Sequence, residues 1–338
     1  MKNVPENRVR FSVIIPAYNA RASIGECLSS LGRQAISPEL YEIIVVDDGS
    51  TDNTADMVAN YDVNYIHQNN QGPASARNKG ASLASGEIIL FIDSDCVPAH
   101  WWLEEMLKPF EQNAMVSGVK GAYRTVQKSI TARFAQAEFE DRYALLETHE
   151  YIDMVDTYSA AFNKKLFIEA GGFDETFPCA NNEDTELSYR LAVQGNKFVF
   201  NPDAIVYHQH PESLFQYLRT KFWRGYWRMA VYAKYPGKAI KDTYTPNVLK
   251  VQTLLMLISL LIVPFFIITT DFFKIDLFLW SIIMLSTLQF SLNAFKKDKI
   301  IGFLSPFYIL FRSFVFALGS AAGLTSCFIK KYITRIFI

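Results

Sequence analysis

The sequence predicts two parts in tandem: an α/β fold on a mixed, mainly parallel sheet, then an α-helical membrane region. Three observations carry this. Short β-type runs alternate with helical stretches between residues 9 and 122, the pattern of a parallel sheet with helices on both faces. Two of those runs end abruptly in acid: Glu42-Ile43-Ile44-Val45-Val46 meets Asp47-Asp48-Gly49-Ser50, and Ile88-Ile89-Leu90-Phe91-Ile92 meets Asp93-Ser94-Asp95. Residues 251–338, by contrast, are overwhelmingly apolar.

Taken in order, residues 10–15, 43–46, 63–67, 88–92 and 115–120 read as strands, being short, apolar and rich in branched side chains. Residues 23–34, 54–61, 73–85 and 101–112 read as helices. Thr51-Asp52-Asn53 offers cap oxygens for one of them, and Pro73 suits the first helical position of another. Residues 129–149, rich in Ala, Glu, Phe and Arg, predict a long helix. A strand at 157–163, a helix at 183–194 and a strand at 204–207 follow, with Gly171-Gly172 and Gly195-Asn196 as turn signals.

Residues 212–250 form a border. From Arg219 it sets Lys221, Arg224, Arg228, Lys234, Lys238, Lys241 and Lys250 among Phe222, Trp223, Tyr226, Trp227, Tyr232 and Tyr235, with Asp242 as the one acid. Positions 221, 224 and 228 share one helical face, and basic residues mixed with Trp and Tyr suit a headgroup layer. An anionic membrane surface is the expected partner. A helix solvated on one side and packed on the other is the alternative.

Two uncharged stretches follow, the 20 residues of 251–270 and the 19 of 277–295, each long enough to cross a hydrocarbon core of about 30 Å. The third apolar stretch, 300–329, contains Arg312, Pro306, Gly319 and Gly323. Pulling Arg312 through a bilayer costs roughly 2.5–3.5 kcal/mol on insertion scales, and a full crossing would leave Lys330, Lys331 and Arg335 outside. The expectation is therefore that this stretch dips and returns, or lies along the interface, bending near Pro306 or Gly319, while residues 271–276, between the first two spans, lie outside. The domain plan is 1–211, 212–250 and 251–338.

The 338 residues are 50% hydrophobic with a net charge of −1, so no basic bias points to nucleic acid. Cys27, Cys96, Cys179 and Cys327 lack any C-x-x-C spacing, which suggests neither a zinc site nor a disulfide framework. The polar start, Met1 to Asn7, has no apolar signal-peptide core.

Ligands of open α/β sheets collect beyond the carboxyl ends of the strands. Adjacent carboxylates there repel unless a cation or a set of hydrogen-bond donors lies between them, and a divalent metal with a nucleotide satisfies both needs. The successive motifs narrow this. Phe11 to Asn19 with Pro16-Ala17-Tyr18, Val45 to Asp52, Gly72-Pro73-Ala74-Ser75-Ala76-Arg77-Asn78-Lys79-Gly80, Asp93-Ser94-Asp95 and Asn182-Glu183-Asp184 together resemble the family-two glycosyltransferases, whose single-domain nucleotide-sugar fold is called GT-A. The resemblance covers roughly residues 9–210.

The resemblance implies that Pro16, Ala17, Tyr18 and Asp48 contact the base and ribose of the donor. It places Gly72 and Arg77 at the diphosphate, Asp93 beside the ribose or a metal-bound water, Ser94 among the donor-binding residues, and Asp95 on Mn²⁺ or Mg²⁺. His208, after the strand 204–207, completes the metal site in related enzymes; orienting a neighbouring carboxylate is its other reading, and His210 competes with it. Asp184 is implied as the general base of an inverting transfer. Simpler roles stay open: Asp47 and Asp48 as turn caps, Arg77 as a bridge to a carboxylate, Asn182-Glu183-Asp184 as a helix cap.

The function implied is a membrane-anchored inverting glycosyltransferase, using a nucleotide-diphosphate sugar, most naturally a uridine one, on a lipid-linked acceptor. The catalytic part would face the cytoplasm from the inner membrane. A polyprenyl-phosphate sugar synthase needs no base, because its nucleophile is already ionised. A processive synthase usually carries Gln-x-x-Arg-Trp, where this chain has Gln216-Tyr217-Leu218-Arg219-Thr220. A catalytically silent nucleotide-binding membrane partner is the reading from another class.

Overall fold

Phe11–Ala17 (β1) and Tyr41–Asp47 (β2) are buried on both faces, as strands inside a covered parallel sheet must be. They open a computed structural model that describes residues 9–177 and 182–336, with side chains as far as Cys327. Residues 1–7, Cys179 and the side chains of Lys330, Lys331 and Arg335 lie outside the described residues.

Between and after these strands come Ile24–Leu31 (α1), Thr54–Val58 (α2), Asn64–His67 (β3), Pro73–Leu83 (α3), Ile88–Phe91 (β4), Val97–Pro98 (β5) and Trp102–Gln112 (α4). Val116–Arg124 (β6), Ile130–Leu146 (α5), Ala160–Asn163 (β7), Lys164–Glu169 (α6), Glu183–Val193 (α7) and Lys197–Tyr207 (β8) follow. Among the described residues the strands form one sheet in the order β3-β2-β1-β4-β7-β6-β8-β5. β1 pairs in parallel with β2 and with β4, so the chain turns to opposite sides after β1 and leaves a crevice at the carboxyl edge there. β7 is antiparallel to β4 and β6, while β8 returns parallel to β6.

Several elements differ from expectation. β8 begins at Lys197, because Asn201-Pro202-Asp203 interrupts the apolar alternation without breaking the strand. β5 and α6 carried no sequence signal, β5 being two residues long and α6 six. Residues 157–159 are a 3₁₀ turn leading into β7 rather than strand.

The chain divides into two compact units, one running to Val126 and including Leu146–Gln209, the other made of Gln127–Leu145 and His210–Ile338. The second contains most of α5 together with Leu214–Lys234 (α8), Pro236–Ile240 (α9), Asn247–Ile262 (α10), Thr270–Ser286 (α11), Leu288–Lys297 (α12) and Lys299–Ile336 (α13). Phe134 of α5 packs against Tyr217, Phe290 and Tyr308, with ring centroids 5.7, 5.8 and 4.6 Å away.

Among the described residues, three helical segments are long and apolar enough to cross a membrane: Asn247–Ile267, Thr270–Lys297 and Lys299–Cys327. This corrects two expectations. The second apolar helix begins ahead of residue 277, since residues 271–276 are the first turns of α11, with the Thr269 side chain accepting from Asp271 N. Residues 300–329 do not turn back on themselves, because they lie within α13, one continuous helix of 38 residues with Pro306 inside it, about 57 Å at 1.5 Å per residue.

The physical reasons lie in partners distant in sequence. Gly319 and Gly323 are not hinges: a Cβ on either would collide with the carbonyl of Phe222 or Tyr226 on α8, so they form a notch that lets the helices close. Arg312 is buried, donating to Glu138 Oε1 and Gln252 Oε1, each at 2.6 Å. Lys221 is likewise drawn inward, 2.8 Å from Glu138 Oε2, and so leaves the set of cations expected to face headgroups. Burial would raise the Glu138 carboxyl, but Lys221 and Arg312 outweigh it and hold the group well below the usual carboxylate range.

Candidate active site

The carboxyl edge of β1 and β2 is tied together by polar side chains. Asn19, at φ 50°, donates its backbone N–H to Ser50 Oγ at 2.9 Å and accepts from Thr51 N at 2.8 Å. Pro16 is half-buried and Ala17 buried, whereas the Tyr18 ring is 54% exposed, open to a flat ligand. Asp47 turns inward and accepts from Ser50 N and the Tyr65 hydroxyl at 2.8 and 2.6 Å. Asp48 accepts from Gln68 Nε2, Gln71 N and Gly72 N, all at 2.8 Å, and so draws the 68–72 loop onto the edge. Backbone and side-chain donors thus relieve the repulsion expected of this acid pair.

Gly72 has φ 91°, a conformation L side chains rarely adopt, and hands the chain to Pro73 at the first turn of α3. One turn on, Arg77 is 2% exposed. It donates to Asp93 Oδ1 at 2.8 Å and to Glu183 Oε1 at 2.9 Å, with Phe173 beneath the guanidinium. Burial disfavours its charge, but Asp93, Glu183 and Asp184 outweigh this and raise its affinity for the proton. Arg77 is therefore a buried bridge between two acidic motifs. Of the carboxylates it meets, Glu183 is buried and Asp93 half-buried.

Asp184 is half-buried in the first turn of α7, where the helix dipole favours an anion, and its Oδ1 accepts from Thr185 N at 2.6 Å. Asn182 precedes it at φ 70°. Ser94 is half-buried and Asp95 exposed, so the two acids of Asp93-Ser94-Asp95 diverge: Asp93 turns to Arg77 and Asp95 to His208.

His208 Nε2 lies 3.1 Å from Asp95 Oδ2. Ligand atoms of Asp95, Cys96 and His208 all fall within 4.8 Å of one another, a spacing one divalent cation can bridge. Burial works to raise the Asp95 carboxyl, yet the adjacent imidazole outweighs it and holds the group below its ordinary value. Burial, with Asp93 and Asp95 nearby, pushes the Cys96 thiol well up. Mn²⁺ and Mg²⁺ favour oxygen and imidazole donors over sulfur on grounds of ligand softness. His210 is engaged elsewhere, 3.0 Å from Gln136 Oε1 and stacked on Phe139.

Sequence reasoning missed Tyr65, Gln68, Cys96 and Tyr123, the last of which stacks on His208 with centroids 4.7 Å apart. Their roles come from contacts between distant segments, and only the position of Cys96, directly after the acidic motif, carried a local signal.

Against known families, residues 12–170 match the model of glycosyl transferase family 2. The chain carries a glycosyl transferase family 2 domain. Validoxylamine A glucosyltransferase of Streptomyces hygroscopicus subsp. limoneus is 31% identical over 217 residues, covering 54% of this chain and 48% of that protein. Glycosyltransferase AglE of Haloferax volcanii is 39% identical over 207 residues, covering 58% and 66%. The chain thus spans less than two thirds of the length of either curated relative.

A mannosyltransferase of Pyrobaculum calidifontis, solved with GDP-Man and Mn²⁺, superposes with a TM-score of 0.61 at 21% identity, over 95% of this chain and 88% of that one. The likeness establishes a GT-A-type fold. Within the family 2 domain lie Pro16, Ala17, Tyr18, Asp48, Gly72, Arg77, Asp93, Ser94 and Asp95; Asp184 and His208 lie beyond residue 170 and reach it through α7 and β8.

Proposed function

We propose that this chain is a membrane-anchored inverting glycosyltransferase that moves a sugar from a nucleotide-diphosphate donor, a uridine nucleotide foremost, to a lipid-linked acceptor. The observation that carries it is the pairing of Asp95 with His208 at 3.1 Å, beyond the carboxyl end of β4 in a family 2 domain. Tyr18 and the Asp48-anchored loop offer a stacking surface and backbone polar groups for a base and ribose. A divalent cation held by Asp95 and His208 would offset charge on the diphosphate leaving group.

Asp184 is the base in this reading. It takes the proton from the acceptor hydroxyl as that oxygen bonds to the anomeric carbon; the bond to the diphosphate oxygen breaks on the opposite face, and the nucleotide leaves with the electron pair. Arg77 holds Glu183, the neighbour of Asp184, on the same cation as Asp93, so donor and base motifs share one anchor. The three apolar helices support attachment to the inner membrane and a lipid-borne acceptor, with the family 2 domain on the cytoplasmic side.

Release of nucleotide diphosphate from a panel of nucleotide sugars, with Mn²⁺ and lipid extract, tests the proposal. One donor should be turned over, Asp95→Ala should abolish this, and Asp184→Asn should slow transfer about 10²- to 10⁴-fold. No turnover of any donor would sink it. A mild Asp184→Asn effect would mean a phosphate acceptor, as in a polyprenyl-phosphate sugar synthase.

A further inference from the structure

The His208 imidazole sits at the end of a pile of three rings. Tyr123 stacks on it, with centroids 4.7 Å and planes 18° apart, and Tyr158 stacks on Tyr123 at 3.4 Å and 17°. Lys120, fully buried, donates to the Tyr158 hydroxyl at 2.6 Å and pairs with Asp156, fixing the far end of the pile. Tyr123 and Tyr158 are themselves buried.

The backbone acts in the same sense. Tyr123 of β6 is in register with Val206 of β8, and His208 N donates to Arg124 O at 3.0 Å just past the strand end. One strand therefore sets both where His208 starts and how its ring lies. An imidazole ring has a broad torsional well about its last bond, so a flat neighbour on its face limits the rotation that carries Nε2 away from Asp95. An aliphatic side chain would fill the same volume without fixing the plane. Ligating histidines depend on such outer contacts, whose loss typically weakens metal binding.

We propose that Tyr123, backed by Tyr158, is a positioning residue that holds the His208 ring in the plane presenting Nε2 beside Asp95, and so sets affinity for the divalent cation. This rests on the reading that Asp95 and His208 hold that cation.

The test is titration of the full chain in detergent with Mn²⁺, followed by the electron paramagnetic resonance signal of free Mn²⁺, in excess UDP and in parallel in excess GDP. Tyr123→Leu should weaken Mn²⁺ binding about tenfold, whereas Tyr123→Phe, which keeps the ring, should bind as the wild type does. Nucleotide affinity without metal should be unchanged in both. Tyr158→Leu leaves Tyr123 in place but unsupported, should also weaken Mn²⁺ binding, and serves if Tyr123→Leu does not fold. Wild-type Mn²⁺ affinity in the folded leucine variants overturns the proposal, and so does Phe weakening binding as much as Leu. If His208→Ala and Asp95→Ala bind Mn²⁺ normally, the metal reading itself fails; if they lose it while the leucine variants do not, only the positioning role falls.

Discussion

Arg312 of α13 donates to Glu138 Oε1 of α5 at 2.6 Å, joining residues 174 apart in the chain. A charge that argues against a membrane helix when read alone is neutralised inside its own helical unit, with Lys221 on the other carboxylate oxygen. A buried charge left wholly uncompensated typically costs ~3–5 kcal/mol; without Arg312, Glu138 keeps Lys221 but Gln252 Oε1 loses its donor, so the loss is smaller than that. Arg312→Leu should still lower the thermal midpoint of the purified chain, despite adding an apolar residue to an apolar helix. A midpoint equal to wild type would show that the pair contributes nothing.

The notch at Gly319 and Gly323 gives a second expectation. A side chain at either position meets backbone carbonyls of α8, which cannot rotate away, so the helices must separate. Overpacking of this kind destabilises by about 1–3 kcal/mol. Gly319→Leu should also weaken crosslinking between cysteines placed at 226 and 326, where Tyr226 and Ser326 hydrogen-bond at 2.9 Å in the native chain. Gly237→Leu, with open space around its position, should change neither measurement.

Arg77 offers a third. Arg77→Met leaves Asp93 and buried Glu183 without their cation, a loss of roughly 3–5 kcal/mol by the same reasoning. Arg77→Lys keeps the charge but lacks the planar fork that reaches two carboxylates at once, so its loss should be smaller. Equal melting midpoints for the two variants would show that a charge without the fork contributes nothing to the bridge.

Acid titration supplies the fourth. Asp298 accepts from Arg133 and from Ile300 N and Ile301 N at 3.1 and 3.2 Å, capping α13. Burial opposes ionisation, but the Arg133 bond and the capping amides prevail and hold its carboxyl below the ordinary value. A folded pKa below the unfolded one means that this group stabilises above the unfolded value, near 3.9, and that the stabilisation is lost as pH falls through the folded one. Asp298→Asn should be less stable than wild type at pH 7, and the gap should close as the pH is lowered past 4. A gap independent of pH would assign the effect to packing.

Much of the fold was legible because its signals are local. The acids at the ends of β2 and β4, Gly72 before Pro73 and the charge-free runs after residue 250 each state their role within a few neighbours. Asp47 and Asp48 were legible as a pair at a strand end. Their separate hydrogen-bonding duties, one to Tyr65 and one to the 68–72 loop, were not, because those partners enter from a different strand and loop.

By itself the sequence determined the alternation of strands and helices, the acidic motifs at the crevice and the three apolar stretches, since periodicity and turn chemistry act between residues close in the chain. The tertiary structure alone decided that Arg77 bridges Asp93 to Glu183, that His208 rather than His210 meets Asp95, and that Glu138 of α5 holds Arg312 and Lys221. The physical reason is that a buried charge is stable only with a partner at contact distance. That partner stands 106 residues from Arg77 in one case and 174 from Glu138 in another, separations at which no spacing in the sequence marks the pair.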